Sequence, residues 1–362
     1  MQKPTWSGRD VSRRDILKAS SALAAAGALA TPAKVLAAAP PATSITPQLI
    51  EAAKKEGKVI YYTSVDLPIA ERIAKAFEAK FPGIAVRVER TGAERVFQRI
   101  GQEYASRIYA VDAVNSSDAA HFIVWKREGI LEPFVPEDVA KFYKDEHKDA
   151  DGTYAAFRVG LVTIGYNTRM VKAEDAPKSF ADLLDPKWAG KLVKAHPGYS
   201  GTIMTATQQM SRDLGWEYFE RLAKQRVMQV QSASDPPKKL DLGERAVMAD
   251  GNEYNLLQLK EAGKPVEVVY PTEGVPVVVG PNGIFKRAPN PNAARLFQLF
   301  CFTPECQQLI IEVGGMRSMH PQAKEKPGRK PFAEIKTFKE DAAAVEKEGE
   351  AIKARYSKLF GV

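Results

Sequence analysis

Strand-like and helix-like segments alternate from Thr46 onward, and that alternation restricts the possible folds more than any other feature of the chain. The stretch "TPQLIEAAKKEG" (46–57) opens with a Thr cap and a Pro and closes on Gly57, the start and stop signals of a short helix. "KVIYYTSV" (58–65), rich in β-branched and aromatic residues, reads as a buried strand. "LPIAERIAKAFEAKFPG" (67–83) then sets Ile69, Ile73, Phe77 and Phe81 on one helical face before a Pro-Gly stop. "IAVRVER" (84–90) alternates as a strand, "GAERVFQRIGQEYASR" (92–107) returns to helix, and "AVDAVNSSD" (110–118) is a strand with a polar exit. Strand, helix, strand at this spacing calls for βαβ units and a mostly parallel sheet.

The cycle restarts after "GTYAAFRVGLVTIGYNT" (152–168), an extended piece suited to crossing from one lobe to another. A second extended piece, "EGVPVVVGPNGIFK" (273–286), would carry the chain back. At 362 residues the chain is too long for one ordinary core. The expected architecture is therefore α/β, with two lobes and a cleft: residues 45–157 with 273–318, then 158–272, with 319–362 as a C-terminal helical segment. Crossings near Ala155 to Gly165 and Glu273 to Val279 would form the hinge. The helices of "PNAARLFQLFCFTPECQQLIIEVGG" (291–315) and the C-terminal segment are expected to pack outside both lobes.

The N-terminus is an address rather than a structural element. "SRRDILK" (12–18) is a twin-arginine pair followed by hydrophobic positions and a lysine, ahead of the soft apolar run "ASSALAAAGALA". Residues 1–39 thus read as a twin-arginine export signal, cleaved near Ala37 to Ala39, and the mature protein is expected in the periplasm. The signal holds six bases (Lys3, Arg9, Arg13, Arg14, Lys18, Lys34) against two acids (Asp10, Asp15), half of the net charge of +8. The remaining bases are interleaved with acids and form no stripe with spaced aromatics, which argues against nucleic-acid binding. Cys301 and Cys306 lie on either side of Thr303-Pro304, a cap and first helical residue, so the chain should turn between them. In an oxidising compartment that arrangement leads us to expect a local disulfide.

In open α/β sheets ligands sit beyond the carboxyl ends of strands, at helix starts. Those positions here offer Thr63, Ser64 and Asp66 after the first strand, and Ser116 and Ser117 after the third. The second lobe offers Ser200, Gly201 and Thr202, then Asn252, Tyr254 and Asn255, with Glu273 at the start of the return crossing. Hydroxyls, amides and free backbone N–H groups at helix starts suit an anionic or polyhydroxyl ligand, although each is also an ordinary cap or turn residue. "GYSGT" (198–202) approaches a nucleophile elbow, which raises a secreted hydrolase using Ser200 as the rival class, but Thr202 stands where the final Gly belongs. No Walker loop, dinucleotide fingerprint or zincin motif occurs, and the four histidines are scattered. No cofactor is expected.

The mature chain resembles the periplasmic solute-binding proteins of ABC importers, in the branch that includes the ferric-binding proteins. The resemblance runs from Glu51 to about His320 and is carried by "EGKVIYYTSVD", "SFADLLDPKWAGKLVKAHPGYSGT" and "VEVVYPTEGVPVVVGPNGIFKRAPNPNAARLF", among other stretches. It implies a type II periplasmic binding fold, a monomeric receptor without enzymatic activity, a small-molecule solute and an inner-membrane ABC permease as partner. Ferric-binding members place two adjacent tyrosines at a helix start, and phenolates suit Fe(III). Here the matching positions are Tyr254 and Asn255, and Asp66 stands about where those members often carry a histidine. The expectation is accordingly a small, anionic organic solute or oxyanion hydrogen-bonded by Tyr254 and its neighbours, without a metal; ferric iron is the alternative.

Overall fold

The computed structural model describes residues 39–362; the expected export signal and its cleavage site lie outside the described residues, Ala39 excepted. The helices are α1 (Pro47–Glu56), α2 (Leu67–Lys80), α3 (Ala93–Ala105), α4 (Ala119–Arg127), α5 (Glu137–Phe142), α6 (Gly201–Asp213), α7 (Trp216–Ala223), α8 (Asp235–Asp241), α9 (Glu253–Glu261), α10 (Pro291–Cys301), α11 (Pro304–Glu312) and α12 (Ala342–Phe360). The strands are β1 (Lys58–Thr63), β2 (Ala85–Arg90), β3 (Ala113–Asn115), β4 (Tyr154–Asn167), β5 (Leu192–Ala195), β6 (Met228–Val230), β7 (Val247–Asn252), β8 (Val266–Val269) and β9 (Val277–Ile284).

Local signals act where they were expected. Thr46 accepts from the Leu49 N–H at 3.2 Å, Pro47 fills the first turn, and Gly57 ends α1 at φ 73°. Such a cap is worth about 1 kcal/mol. On α2, Ile69, Ala70, Ile73, Ala74 and Phe77 form the buried stripe. Among the described residues no helix is long and apolar enough to cross a membrane.

The strands join in the order β2-β1-β3-β9-β4-β7-β5-β6, with β8 also on β4. β1 pairs in parallel with β2 and β3, as βαβ crossovers demand, and β5 pairs in parallel with β6 and β7. Between these two parallel sets run antiparallel β4 and β9. β4 is 14 residues long: Tyr154 to Leu161 pair with β9, and Val162 to Asn167 pair with β7 and β8. One strand thus belongs to both lobes. Its register shifts between Ala156 and Arg158, so Phe157 is fully buried in the core while Arg158 is aimed elsewhere. Bulges of this kind re-aim side chains near functional sites.

Each lobe has its own core. Tyr61, Ile73, Phe77, Phe297 and Phe300 centre the first, with the Phe77 and Phe297 rings 5.2 Å apart and edge-on. Truncating a fully buried Phe such as Phe77 to Ala costs about 3–5 kcal/mol. Phe180, Trp188, Leu192, Phe219, Val247 and Tyr356 centre the second. Two expectations need correction here. α10 and α11 do not lie outside the lobes: Leu296, Phe297, Phe300 and Ile310 are part of the first core, because their apolar faces pack on Tyr61, Phe77 and Phe81. The C-terminal α12 likewise inserts Tyr356 into the second core.

The cysteines also depart from expectation. Thr303 does cap α11, accepting from the Cys306 N–H, and the chain turns between the two residues. Cys301 and Cys306 are nevertheless free thiols, both buried. Burial and the neighbouring Cys306 push the Cys301 thiol well above its ordinary value, which suppresses the thiolate needed for exchange.

Candidate functional site

The carboxyl ends of the parallel strands from both lobes meet around a small cavity of about 30 Å3. Ser64 and Asp66 follow β1, Arg90 ends β2, and Gly92 and Ala93 start α3. Ser117 follows β3, and Arg158 enters from the bulge in β4. The second lobe contributes Tyr199, Ser200 and Thr202 at the start of α6, Ser232 and Ala233 after β6, and Asn252 and Tyr254 at the start of α9. This is the position that parallel sheet topology favours for ligands. A larger hollow, about 560 Å3, lies beside Phe134, Val139 and Tyr154. It is bounded by Ala39 and Pro40, where the described residues begin, and no arginine among the described residues lines it. The smaller cavity, with its convergent polar groups, is the better site.

The lobes touch at this cavity. A Cβ on Gly201 would lie 2.8 Å from Asp118 Cβ and 3.0 Å from Ala93 Cβ. The start of α6 in one lobe therefore abuts the starts of α3 and α4 in the other, and only glycine permits that approach. Ser200 caps α6 with its hydroxyl accepting from the Ile203 N–H at 3.4 Å. The first-turn N–H groups of Gly201 and Thr202 have no partner within the helix and carry its positive dipole end.

Two arginines dominate the electrostatics. Arg90 is paired: one of its Nη atoms lies 3.1 Å from Asp66 Oδ1. Arg158 is only 4% exposed, and no carboxylate lies within salt-bridge distance of it among the described residues. Its Nε donates to Asn115 Oδ1 at 3.0 Å and its Nη2 to Ser64 Oγ at 3.2 Å. Asn115 is held in turn by donating to the carbonyls of Gly280 and Pro281, which aims its own oxygen at Arg158. Gly280 leaves the room, since a Cβ there would sit 3.0 Å from Arg158 Cγ and Nε. Burial works against the charge on Arg158, and Tyr254, Tyr61 and Asp66 only partly compensate. A buried charge with neutral partners is costly, and an arriving anion would complete it.

Tyr254, Asn252, Asn255 and Asp66 form one network. The Tyr254 hydroxyl donates to Asp66 Oδ2 at 3.3 Å and accepts from Asn252 Nδ2 at 3.1 Å. Asn255 Nδ2 donates to the same Asp66 oxygen at 2.9 Å, and its Oδ1 accepts from Asn252 at 2.9 Å. Burial and the Asp66 carboxylate push the Tyr254 phenol well above its ordinary value, so it stays a neutral donor.

Of the residues singled out from sequence, Ser64, Asp66, Ser117, Ser200, Thr202, Asn252 and Tyr254 line the cavity, with Gly201 and Asn255 just behind. Three do not. Thr63 is fully buried, its hydroxyl accepting from the Val65 N–H. Ser116 turns away to His121 Nδ1 at 2.9 Å. Glu273 accepts from the N–H groups of Phe180 and Ala181 at 3.1 and 3.0 Å, capping a short helical turn outside the cavity, whose first N–H groups have no partner within the turn. Sequence reasoning missed Arg90 and Arg158. A lone Arg inside "AAFRVGLV" was the available signal, since a charge in a buried strand needs a reason.

Among the described residues Ser200 bonds no catalytic base: the nearby His196 uses Nδ1 on the Gly198 N–H and Nε2 on Ser357. Glu94, Asp118 and His121 bring possible metal-ligand atoms within 4.8 Å of one another. Its ligand atoms are already engaged: His121 Nε2 lies 3.1 Å from Glu94, whose other oxygen takes the Lys353 ammonium at 2.8 Å.

The sequence profile described as bacterial extracellular solute-binding protein matches residues 116–339, more than half of the chain, and a twin-arginine signal profile matches residues 10–30. A Sinorhizobium fredii protein provisionally named the ABC transporter periplasmic-binding protein y4fP is 25% identical over 288 residues, 76% of this chain and 74% of its own. A Salmonella typhimurium periplasmic protein provisionally named for binding 2-aminoethylphosphonate is 24% identical over 250 residues, 65% of this chain and 69% of its own. Among solved structures, the periplasmic binding protein AfuA from Actinobacillus pleuropneumoniae, with fructose-6-phosphate bound, superposes at TM-score 0.78 with 23% identity, over 84% of this chain and 99% of that one. Iron-bound HitA from Pseudomonas aeruginosa superposes at TM-score 0.72 with 24% identity, over 83% and 99%. At these identities the structural likeness establishes the fold alone: two lobes of the type II periplasmic binding kind. The chain belongs to the bacterial extracellular solute-binding proteins, exported to the periplasm to bind a solute rather than to transform one.

Proposed function

We propose that this periplasmic solute-binding component of an ABC transporter captures a small organic phosphorus oxyanion, a phosphate monoester or a phosphonate, and presents it to an inner-membrane permease. The observation that carries the reading is Arg158, a buried guanidinium aimed at the cavity with only neutral partners. A phosphoryl group would take its free donors together with Ser64, Ser117 and the N–H groups of Gly201 and Thr202, charge-assisted bonds that a dry cavity strengthens. Arg90 adds positive potential, while Asp66, Tyr254 and Asn252 remain for hydroxyl or amino groups on the rest of the solute. The ligands named for AfuA and for the Salmonella relative share this one group, a tetrahedral phosphorus oxyanion.

The ferric alternative, suggested by HitA, finds less support. Fe(III) needs hard anionic ligands. Tyr254 is held as a neutral phenol, Asn255 occupies the position of a second tyrosine, and Asp66 is committed to Arg90. Two guanidinium groups at the cavity would repel a trivalent cation.

Thermal shift and calorimetry with fructose-6-phosphate, 2-aminoethylphosphonate, inorganic phosphate and ferric citrate test the reading. A phosphorus oxyanion at a hundred times its Kd should stabilise the protein by about 2.7 kcal/mol. Ferric citrate should leave the protein colourless. No stabilisation by any phosphorus oxyanion at millimolar concentration, or a coloured iron adduct lost in Tyr254→Phe, overturns it.

A further inference from the structure

We propose that α12 is a clasp across the two lobes, holding the unliganded protein partly closed. Asp341 caps this 19-residue helix, and Val345, Ile352 and Tyr356 form its buried face. Its C-terminal half is rooted in the second lobe. Tyr356 is fully buried there, with its hydroxyl bonded to Lys194 and Gln229, each at 2.8 Å, and its ring stacked on Phe360. Arg355 pairs with Glu220 of α7 at 3.1 Å.

The other contacts reach the first lobe. Lys353 Nζ lies 2.8 Å from Glu94 Oε2 on α3, and Glu346 lies 2.7 Å from Arg127 on α4. Val345 and Ile352 share a small apolar cluster with Ala120 of α4 and Met204 of α6, one residue from each lobe. Any rotation that separates the lobes about β4 and β9 must strip these contacts, since their two ends sit on different bodies. The clasp also borders the ligand cavity. Glu94 directly follows Ala93, and Ala120 shares its helical turn with Asp118, which follows Ser117. Ligand and clasp therefore bias the same closure, one from within the cavity and one from its flank.

The clasp is tested without any ligand, so its failure is separate from a failure of the proposed solute class. Spin labels at Lys75→Cys on α2 and Lys224→Cys after α7, both exposed, report the distance between lobes by pulsed electron resonance. Cys301 and Cys306 are buried and stay unlabelled. The Arg127→Glu, Lys353→Gln variant should gain a distinct, more separated population, its fraction rising roughly threefold or more over the parent. The charge swap Arg127→Glu with Glu346→Arg should return the parental distribution. Near-UV circular dichroism checks that each variant is folded; if the double variant is not, Arg127→Glu alone suffices, because that side chain is 59% exposed. A folded variant whose distance distribution matches the parent overturns the clasp.

Discussion

Two buried charge clusters flank the starts of α3 and α4 and end in opposite states. On one flank Glu94, His121 and Lys353 satisfy one another, with Glu94 and His121 each 6% exposed at the side chain. On the other, Arg158 is as deeply buried but has only Asn115 and Ser64 as partners. The difference separates a charge that the fold uses from one that the proposed function keeps for a ligand. A closed ionic network contributes to stability only through its own members, and losing one leaves the others exposed to the low dielectric. An open one lowers stability and is completed from outside. Lys353 links the closed cluster on the first lobe to α12, while Arg158 leaves the open one facing the cavity.

The largest expected effect breaks the open cluster. Arg158→Met should weaken binding of the preferred phosphorus oxyanion by roughly 100- to 1000-fold in calorimetry, as loss of a buried charged partner does. The unliganded melting temperature should hold or rise, because an uncompensated charge has gone. A fall in stability with affinity intact would erase the contrast between the clusters.

Next comes the closed cluster under acid. His121 and Lys353 hold Glu94 down at about 2, against the opposing effect of burial. Its folded value lies below its unfolded value, near 4.3, so its contribution is present above that pH and is lost as pH falls through the folded value. Glu94→Gln should therefore flatten the acid limb of the stability profile between about pH 4.3 and 2, removing up to ~3 kcal/mol. Denaturant unfolding at several pH values measures it; parallel profiles for variant and parent would contradict the assignment.

Glu340, just ahead of α12, behaves in the opposite sense. Burial pushes its carboxyl up to about 8, with the Val279 N–H opposing. Its folded value lies above the unfolded one, so its contribution is full below about pH 4.3 and is lost as pH rises through 8. Glu340→Gln should make the protein less sensitive to pH between 5 and 8 than the parent in the same unfolding experiment. An unchanged slope would mean that Glu340 is already solvated.

The smallest effect sharpens the ligand reading. Tyr254→Phe removes one neutral hydroxyl from a network that Asn252 and Asn255 can still hold together, worth about 1 kcal/mol, or roughly fivefold in Kd. A loss as large as that of Arg158→Met would shift the centre of recognition to Tyr254.

Much of the frame could be read along the chain because its signals are local. The Thr46 cap, the stripe from Ile69 to Phe77 and the Thr303-Pro304 start each depend on residues within a turn or two. The polar strand exits were legible for the same reason, and Ser64, Ser117, Ser200 and Tyr254 do face the cavity. Their neighbours Thr63 and Ser116 do not, because strand side chains alternate and the local turn decides which hydroxyl faces inward. Glu273 was misplaced because its partners, Phe180 and Ala181, lie about ninety positions away.

The chain by itself thus determined the export signal, the βαβ order and the family, all written in contiguous stretches. Tertiary structure decided the charge balance. Arg158 faces the cavity only because β4 shifts register beside Gly280, and α12 spans the lobes only because Tyr356 finds a socket beside Lys194. Electrostatic partners are chosen by distance in space, and in a sheet assembled from long-range pairings that distance is set only once every strand is in register.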